Sequence, residues 1–155
     1  MTAIRRRAAL WALGAITAAA IATPAAAQTV TLRLHQFLPG QATIPSKALV
    51  PWAQKVEAES GGRLKIQLFH AMQLGGAPPQ LFDQARDGVV DIIWTVLGYT
   101  PGRFNKTEVF ELPFMSGNAE QSSRAIQEYV EKFAADEFKD VKLIAVHTHG
   151  PGLFH

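Results

Sequence analysis

Cysteine is absent from the 155 residues, so neither disulfides nor thiolate metal sites contribute to stability. Recognised catalytic punctuation is missing too. No serine lies in Gly-x-Ser-x-Gly, Gly75-Gly76 does not extend to Gly-x-Gly-x-x-Gly, and no Gly-Lys-Ser or Gly-Lys-Thr follows it. Nucleophilic catalysis and nucleotide binding are therefore unsupported, and we expect no enzyme and no cofactor. After the first 27 residues no apolar run approaches the roughly 20 residues that cross a bilayer, so that part is expected to be soluble. It also has no long basic run to follow a phosphate backbone, which argues against nucleic acid as a partner.

The first 27 residues are a different kind of sequence. Arg5, Arg6 and Arg7 are followed by an uncharged apolar stretch from Ala8 to Ala22, then Thr23 and Pro24, then Ala25-Ala26-Ala27. This order is that of a secretory signal peptide, with cleavage expected before Gln28 and a periplasmic destination. Whether export uses the general or the twin-arginine route is open. The whole chain carries 15 Lys and Arg against 13 Asp and Glu. Three of those cations lie in the leader, leaving twelve against thirteen and a formal charge of −1.

Residues 28–155 alternate strand and helix signals. Val30 to His35 alternates apolar with polar, and Leu64, Ile66 and Leu68 do so again, each with the period of two that marks a strand. Between them Leu49, Trp52, Ala53 and Val56 recur at helical spacing up to a stop at Gly61-Gly62, with Pro51 expected to kink or restart the helix. Pro78-Pro79 suits a helix start, and the near-continuous apolar run Val89–Val96 suits a strand buried on both faces. Glu111-Leu112-Pro113-Phe114 predicts an extended loop. Asn118 is placed to cap a helix with the stripe Ile126, Tyr129, Val130 and Phe133, and Lys142–Thr148 is a last strand candidate. The succession predicts an α/β fold, a parallel-rich sheet with helices on both faces.

In an open parallel sheet, ligands sit beyond the carboxyl ends of the strands. Those ends deliver His35, Gln36 and Phe37, then Gln73 in the segment after the second strand, then Trp94 and Thr95 with Tyr99 nearby. The Gly75-Gly76 turn before a helix could present backbone N–H groups to an anion. These nine residues are the candidate ligand contacts. His147 and His149 share a face if extended, but no recognised metal-ligand spacing accompanies them, and no metal site is expected.

Five segments then occur in order: Trp52-Ala53-Gln54-Lys55-Val56-Glu57, Ser60-Gly61-Gly62-Arg63-Leu64-Lys65-Ile66, Gln73-Leu74-Gly75-Gly76, Asp87-Gly88-Val89-Val90-Asp91 and Phe110-Glu111-Leu112-Pro113-Phe114. Together they resemble the solute-binding proteins of TRAP transporters, the DctP-like family. The resemblance implies a two-lobed periplasmic receptor that binds a small organic acid through its carboxylate and delivers it to membrane permease subunits driven by an ion gradient. It implies that residues 28–155 are an incomplete N-terminal lobe with the second lobe absent. The family's usual carboxylate-anchoring Arg lies on a strand of that second part. Some relatives carry another Arg where this sequence reads Gly150-Pro151-Gly152-Leu153. Alternatives are a ligand-sensing periplasmic domain of a receptor and a truncated product that does not bind.

Overall fold

A computed structural model describes residues 28–115 and 117–150; the expected leader and the final Pro151–His155 lie outside them. Strands β1 (Val30–Gln36), β2 (Leu64–Phe69) and β3 (Ile92–Trp94) form one sheet in the order β2–β1–β3. Both pairings are parallel, running from Val30 opposite Leu64 to His35 opposite Phe69, and from Leu34 opposite Ile92 to Gln36 opposite Trp94. The carboxyl ends of all three strands are thereby brought level at one edge.

Helices cover both faces, because adjacent strand residues point opposite ways. Leu34, Ile66 and Ile92 face helix α1 (Val50–Glu59) and pack with Trp52, Ala53 and Val56. Ile93 faces the other way, into a second core of Phe82, Phe104, Ile126, Val130, Ala134 and Phe138. Phe82 comes from helix α2 (Leu81–Arg86) and Ile126 from helix α3 (Ala119–Tyr129). The expected α/β architecture with two covered faces is present.

Pro51 restarts the helix as expected: a π-helical stretch (Pro45–Leu49) gives way to α1, with Pro51 at its second position. Other local expectations need correction. β3 is shorter than the apolar run from Val89 to Val96, since Val89 and Val90 N–H still bond back to Gln84 O of α2. Glu111–Phe114 is not extended: Thr107–Glu111 is a 3-10 helix, and the chain then turns tightly, with Phe114 at φ 68°.

Asn118 caps α3 as expected, its side chain accepting from Glu120 N at 2.9 Å and Gln121 N at 3.2 Å. Beyond Tyr129 the helix widens to a π-helix (Val130–Ala134), which shifts the register by about one residue. The buried positions accordingly step by four, through Ile126, Val130, Ala134 and Phe138, and Phe133 is rotated out to solvent. The last correction concerns Lys142–Thr148, which joins no strand among the described residues. Its apolar Leu143 and Val146 pack on the second core. Two backbone donors are satisfied by α3 side chains: Val146 N–H donates to Gln127 Oε1 and Thr148 N–H to Ser123 Oγ.

Candidate ligand-binding site

The level carboxyl edge of the sheet gathers four rings from distant parts of the chain. Phe37 follows β1 and stacks on Trp94, the last residue of β3, with centroids 5.2 Å apart and planes 22° from parallel. Tyr99, at the end of a 3-10 turn (Leu97–Tyr99), meets the edge of Phe37 at 5.4 Å. On the far side Trp94 Nε1–H donates to His147 Nε2 at 3.0 Å. Phe37 and Trp94 are half-buried, while Tyr99 and His147 are exposed. Thr95, half-buried, continues directly from Trp94. Offset and edge-on ring contacts of this kind each contribute about 0.5–1.5 kcal/mol beyond burial.

Beneath the rings lie His35 and Gln36, both fully buried. Leu74 N–H donates to His35 Nε2 at 3.3 Å, which leaves the ring proton on Nδ1 to donate to Gln84 Oε1 at 2.7 Å. Gln84 Nε2 in turn donates to Gly75 O at 3.1 Å. Gln36 Nε2 donates to Leu38 O and to His70 Nδ1, each at 2.7 Å, while Leu38 N–H donates back to Gln36 Oε1. Every polar atom of these two side chains is thus engaged within the protein. Their work here is to hold the two segments that flank the ring file.

One of those segments, residues 70–77, is conformationally demanding. Ala71, Met72, Gly75 and Gly76 all have positive φ, a region that costs a side-chain-bearing residue of order 1–3 kcal/mol. Ala71 N–H to Leu38 O and Met72 N–H to Gln36 O hold it against β1. Gly76 is required for a second reason, since a Cβ there would lie 2.8 Å from Gln84 Nε2. Gln73 is exposed, and its Oε1 accepts from His70 N–H. The helix start after this turn is poor in donors: Pro78 and Pro79 have no N–H, and Ala77 N–H goes to Gln80 Oε1. Gly75 and Gly76 therefore shape the turn, with few donors at the following helix start to meet an anion.

Comparison with known proteins decides the family. The sequence profile of bacterial extracellular solute-binding proteins, family 7 (DctP), matches residues 36–153. This chain belongs to that family. Among solved family structures, a TRAP solute-binding protein from a marine metagenome, specific for aromatic acids and bound to 3-hydroxybenzoate, is 56% identical with a TM-score of 0.78. The match covers 80% of this chain and 39% of that one. A TRAP solute-binding protein of Rhodoferax ferrireducens, holding copurified benzoate, is 55% identical with a TM-score of 0.77 over 79% of this chain and 38% of that one. One from Bordetella bronchiseptica with bound mandelate is 34% identical with a TM-score of 0.71, covering 79% and 39%. The outer membrane transporter protein TsaT of Comamonas testosteroni is 30% identical over 87% of this chain and 40% of that protein. The chain spans about two fifths of the length of these relatives. Its three-stranded parallel sheet with flanking helices matches one lobe of the TRAP solute-binding fold.

Within this family 7 lobe, Phe37, Trp94, Thr95 and Tyr99 are brought to one edge, His35 and Gln36 lie beneath it, and Gln73, Gly75 and Gly76 form an adjoining turn. Sequence reasoning gave His147 and Gln84 no place in the site. Their partnerships span 53 and 49 residues, and no local spacing announces such contacts. Among the described residues no three His, Cys, Asp or Glu side chains gather to hold a metal.

A cavity of about 550 Å³ lies apart from the rings, lined in part by Arg86, Arg103, Lys106, Asp136 and Glu137. Several of its charges are paired internally. Arg103 bonds Asp83 at 2.8 Å and Lys106 bonds Asp136 at 2.7 Å. The Lys106 hydrogen bond holds the Asp136 carboxyl below its ordinary range, and the same bond raises the Lys106 ammonium. Arg103 also lies over the Phe82 ring at 4.7 Å, well occupied away from the ring file.

Proposed function

We propose that this chain is the N-terminal lobe of a periplasmic receptor that captures aromatic carboxylates and passes them to a TRAP permease. The observation that carries the substrate class is the ring file Tyr99–Phe37–Trp94 at the carboxyl edge of the sheet, where ligands of open parallel sheets bind. It is supported by two relatives at 55–56% identity whose structures hold benzoate and 3-hydroxybenzoate. Flat faces at this edge reward a flat ligand ring, and they give little to a polyhydroxylated acid that needs hydrogen bonds all round.

The proposal divides the ligand between the two lobes. This lobe supplies the ring wall, from Phe37, Trp94 and Tyr99 with Thr95 beside them, while Gln73, Gly75 and Gly76 form the neighbouring rim. The carboxylate's anchor is assigned to the second lobe, as the family resemblance implies, and within this lobe Arg33 and Arg103 are already paired with Asp91 and Asp83. Reaching the periplasm relies on the expected leader, with cleavage before Gln28.

The test is an NMR titration of the chain with benzoate, 3-hydroxybenzoate, glucuronate and succinate, following the indole N–H of Trp94. Saturable shifts at millimolar concentration from the two aromatic acids alone are expected. Equal shifts from glucuronate or succinate, or none from any acid, would remove the aromatic reading.

A further inference from the structure

His147 is not one of the nine sequence candidates, yet it is tied to the ring file by its sharpest polar contact. We propose that His147 is a specificity-determining positioning residue: by accepting the indole N–H it fixes the plane of Trp94 for a flat aromatic ligand ring. The inference rests on the aromatic-carboxylate reading above and names the residue that enforces it.

Geometry makes the case. An indole N–H lies in the plane of its ring, so an acceptor at 3.0 Å from Nε1 sits close to that plane. The Trp94 and His147 rings are within 15° of parallel and their centroids are 6.0 Å apart. That separation is long for face-to-face contact but fits two rings joined edge to edge through N–H···N. The pair therefore makes one nearly flat platform. Phe37 lies against a face of the indole and His147 holds its edge, so tilt and rotation of Trp94 are both restrained.

His147 is itself held in register. The backbone donors on either side of it, Val146 N–H and Thr148 N–H, go to Gln127 Oε1 at 2.9 Å and Ser123 Oγ at 3.0 Å. Ser123 Oγ also donates to Thr148 O at 3.2 Å. These bonds hold a segment that has no strand partners among the described residues, and so present His147 to Trp94. His147 also occupies the one polar atom of the Trp94 side chain. With its N–H engaged, Trp94 offers a ligand only π surface, and a hydroxyl of a sugar acid finds no donor there.

The experiment compares benzoate with cyclohexanecarboxylate, which carries the same charge on a non-planar ring. Both are titrated into the full chain and into His147→Ala, His147→Phe and His147→Gln, with the Trp94 indole resonance and the melting temperature recorded. His147 is exposed, so melting temperatures should agree among the four proteins. Wild type should prefer benzoate, and His147→Ala should lose about two- to tenfold of that preference. His147→Gln, which keeps an acceptor, should restore both the preference and the indole shift; His147→Phe, which keeps only ring area, should not. An unchanged preference in His147→Ala, or rescue by Phe and not by Gln, would overturn the role given to His147. Wild type failing to prefer benzoate would instead overturn the aromatic-acid reading itself.

Discussion

The two halves of this lobe hold their backbone in place by different means. In residues 30–94 the strands pair with one another, and the β1–β2 ladder runs over six consecutive partners. In residues 97–150 the segment 142–149 joins no strand among the described residues and takes hydrogen bonds from side chains of α3. The first half is held by backbone groups that every residue supplies, and the second by particular side chains at particular positions. A ladder tolerates substitution at its exposed positions, whereas the tether of the second half depends on Ser123 and Gln127. The ring file lies where the two meet, with Phe37 and Trp94 from the first half and Tyr99 and His147 from the second.

The largest effect that would test this contrast is expected from Phe104→Ala. Phe104 is fully buried and packs against Phe82 and Phe138, each at 5.2 Å. Truncating a buried Phe costs about 3–5 kcal/mol. Hydrogen exchange should show protection falling first in residues 119–148, with the β1–β2 amides losing it last. Simultaneous loss across both halves would mean that they do not differ in the way described.

A smaller and more local effect is expected from Ser123→Ala. It removes the acceptor of Thr148 N–H and the donor to Thr148 O, a loss of about 1 kcal/mol. Exchange at Val146 and Thr148 should rise while the ladder of β1 and β2 is unaffected. Since His147 lies between those residues, the Trp94 indole resonance should move as well.

Much of the first half was legible in the sequence because its signals are local. Period-two alternation marked β1 and β2, the helical spacing of Trp52, Ala53 and Val56 marked α1, and the order of elements implied the parallel sheet. Phe37, Trp94, Thr95 and Tyr99 could be nominated for the same reason, from where strands end. The second half was harder. Apolar alternation in Lys142–Thr148 looks identical whether its backbone pairs with a strand or with Gln127 and Ser123. The π-helical slip after Tyr129 moved Phe133 out of a stripe that a regular helix would have buried. His35 and Gln36 are nominated on the same ground, from where strands end, and what no local signal announces is that their polar atoms bond Gln84, Leu74, Leu38 and His70.

The smallest expected effect is electrostatic. Asp136 and Asp87 have carboxyl groups held below their ordinary value by Lys106 and Arg86 respectively. A depressed folded-state value contributes stability above the unfolded value of 3.8 that is lost as pH falls through the folded one. Lys106 works in the opposite sense: its raised value contributes below 10.5, and that contribution disappears as pH rises beyond it. Both pairs are solvent-exposed, so the melting temperature should change only slightly as pH is lowered below about 4, and less in high salt. A large, salt-insensitive acid transition removed by Asp136→Asn would place more of the second half's stability in its ion pairs than in its core.

The central claim is that this lobe recognises the ring of an aromatic acid and leaves the carboxylate to a cation elsewhere. Calorimetric titration of the chain with 3-hydroxybenzoate and with neutral 3-hydroxybenzyl alcohol tests it directly, because the two share a ring and differ in charge. We expect millimolar binding of both with dissociation constants that agree within about twofold, since a carboxylate without an Arg partner gains no charge-assisted pair. Binding of the acid at micromolar concentration or tighter, with the alcohol at least tenfold weaker, would contradict the account by showing that this lobe carries its own carboxylate anchor.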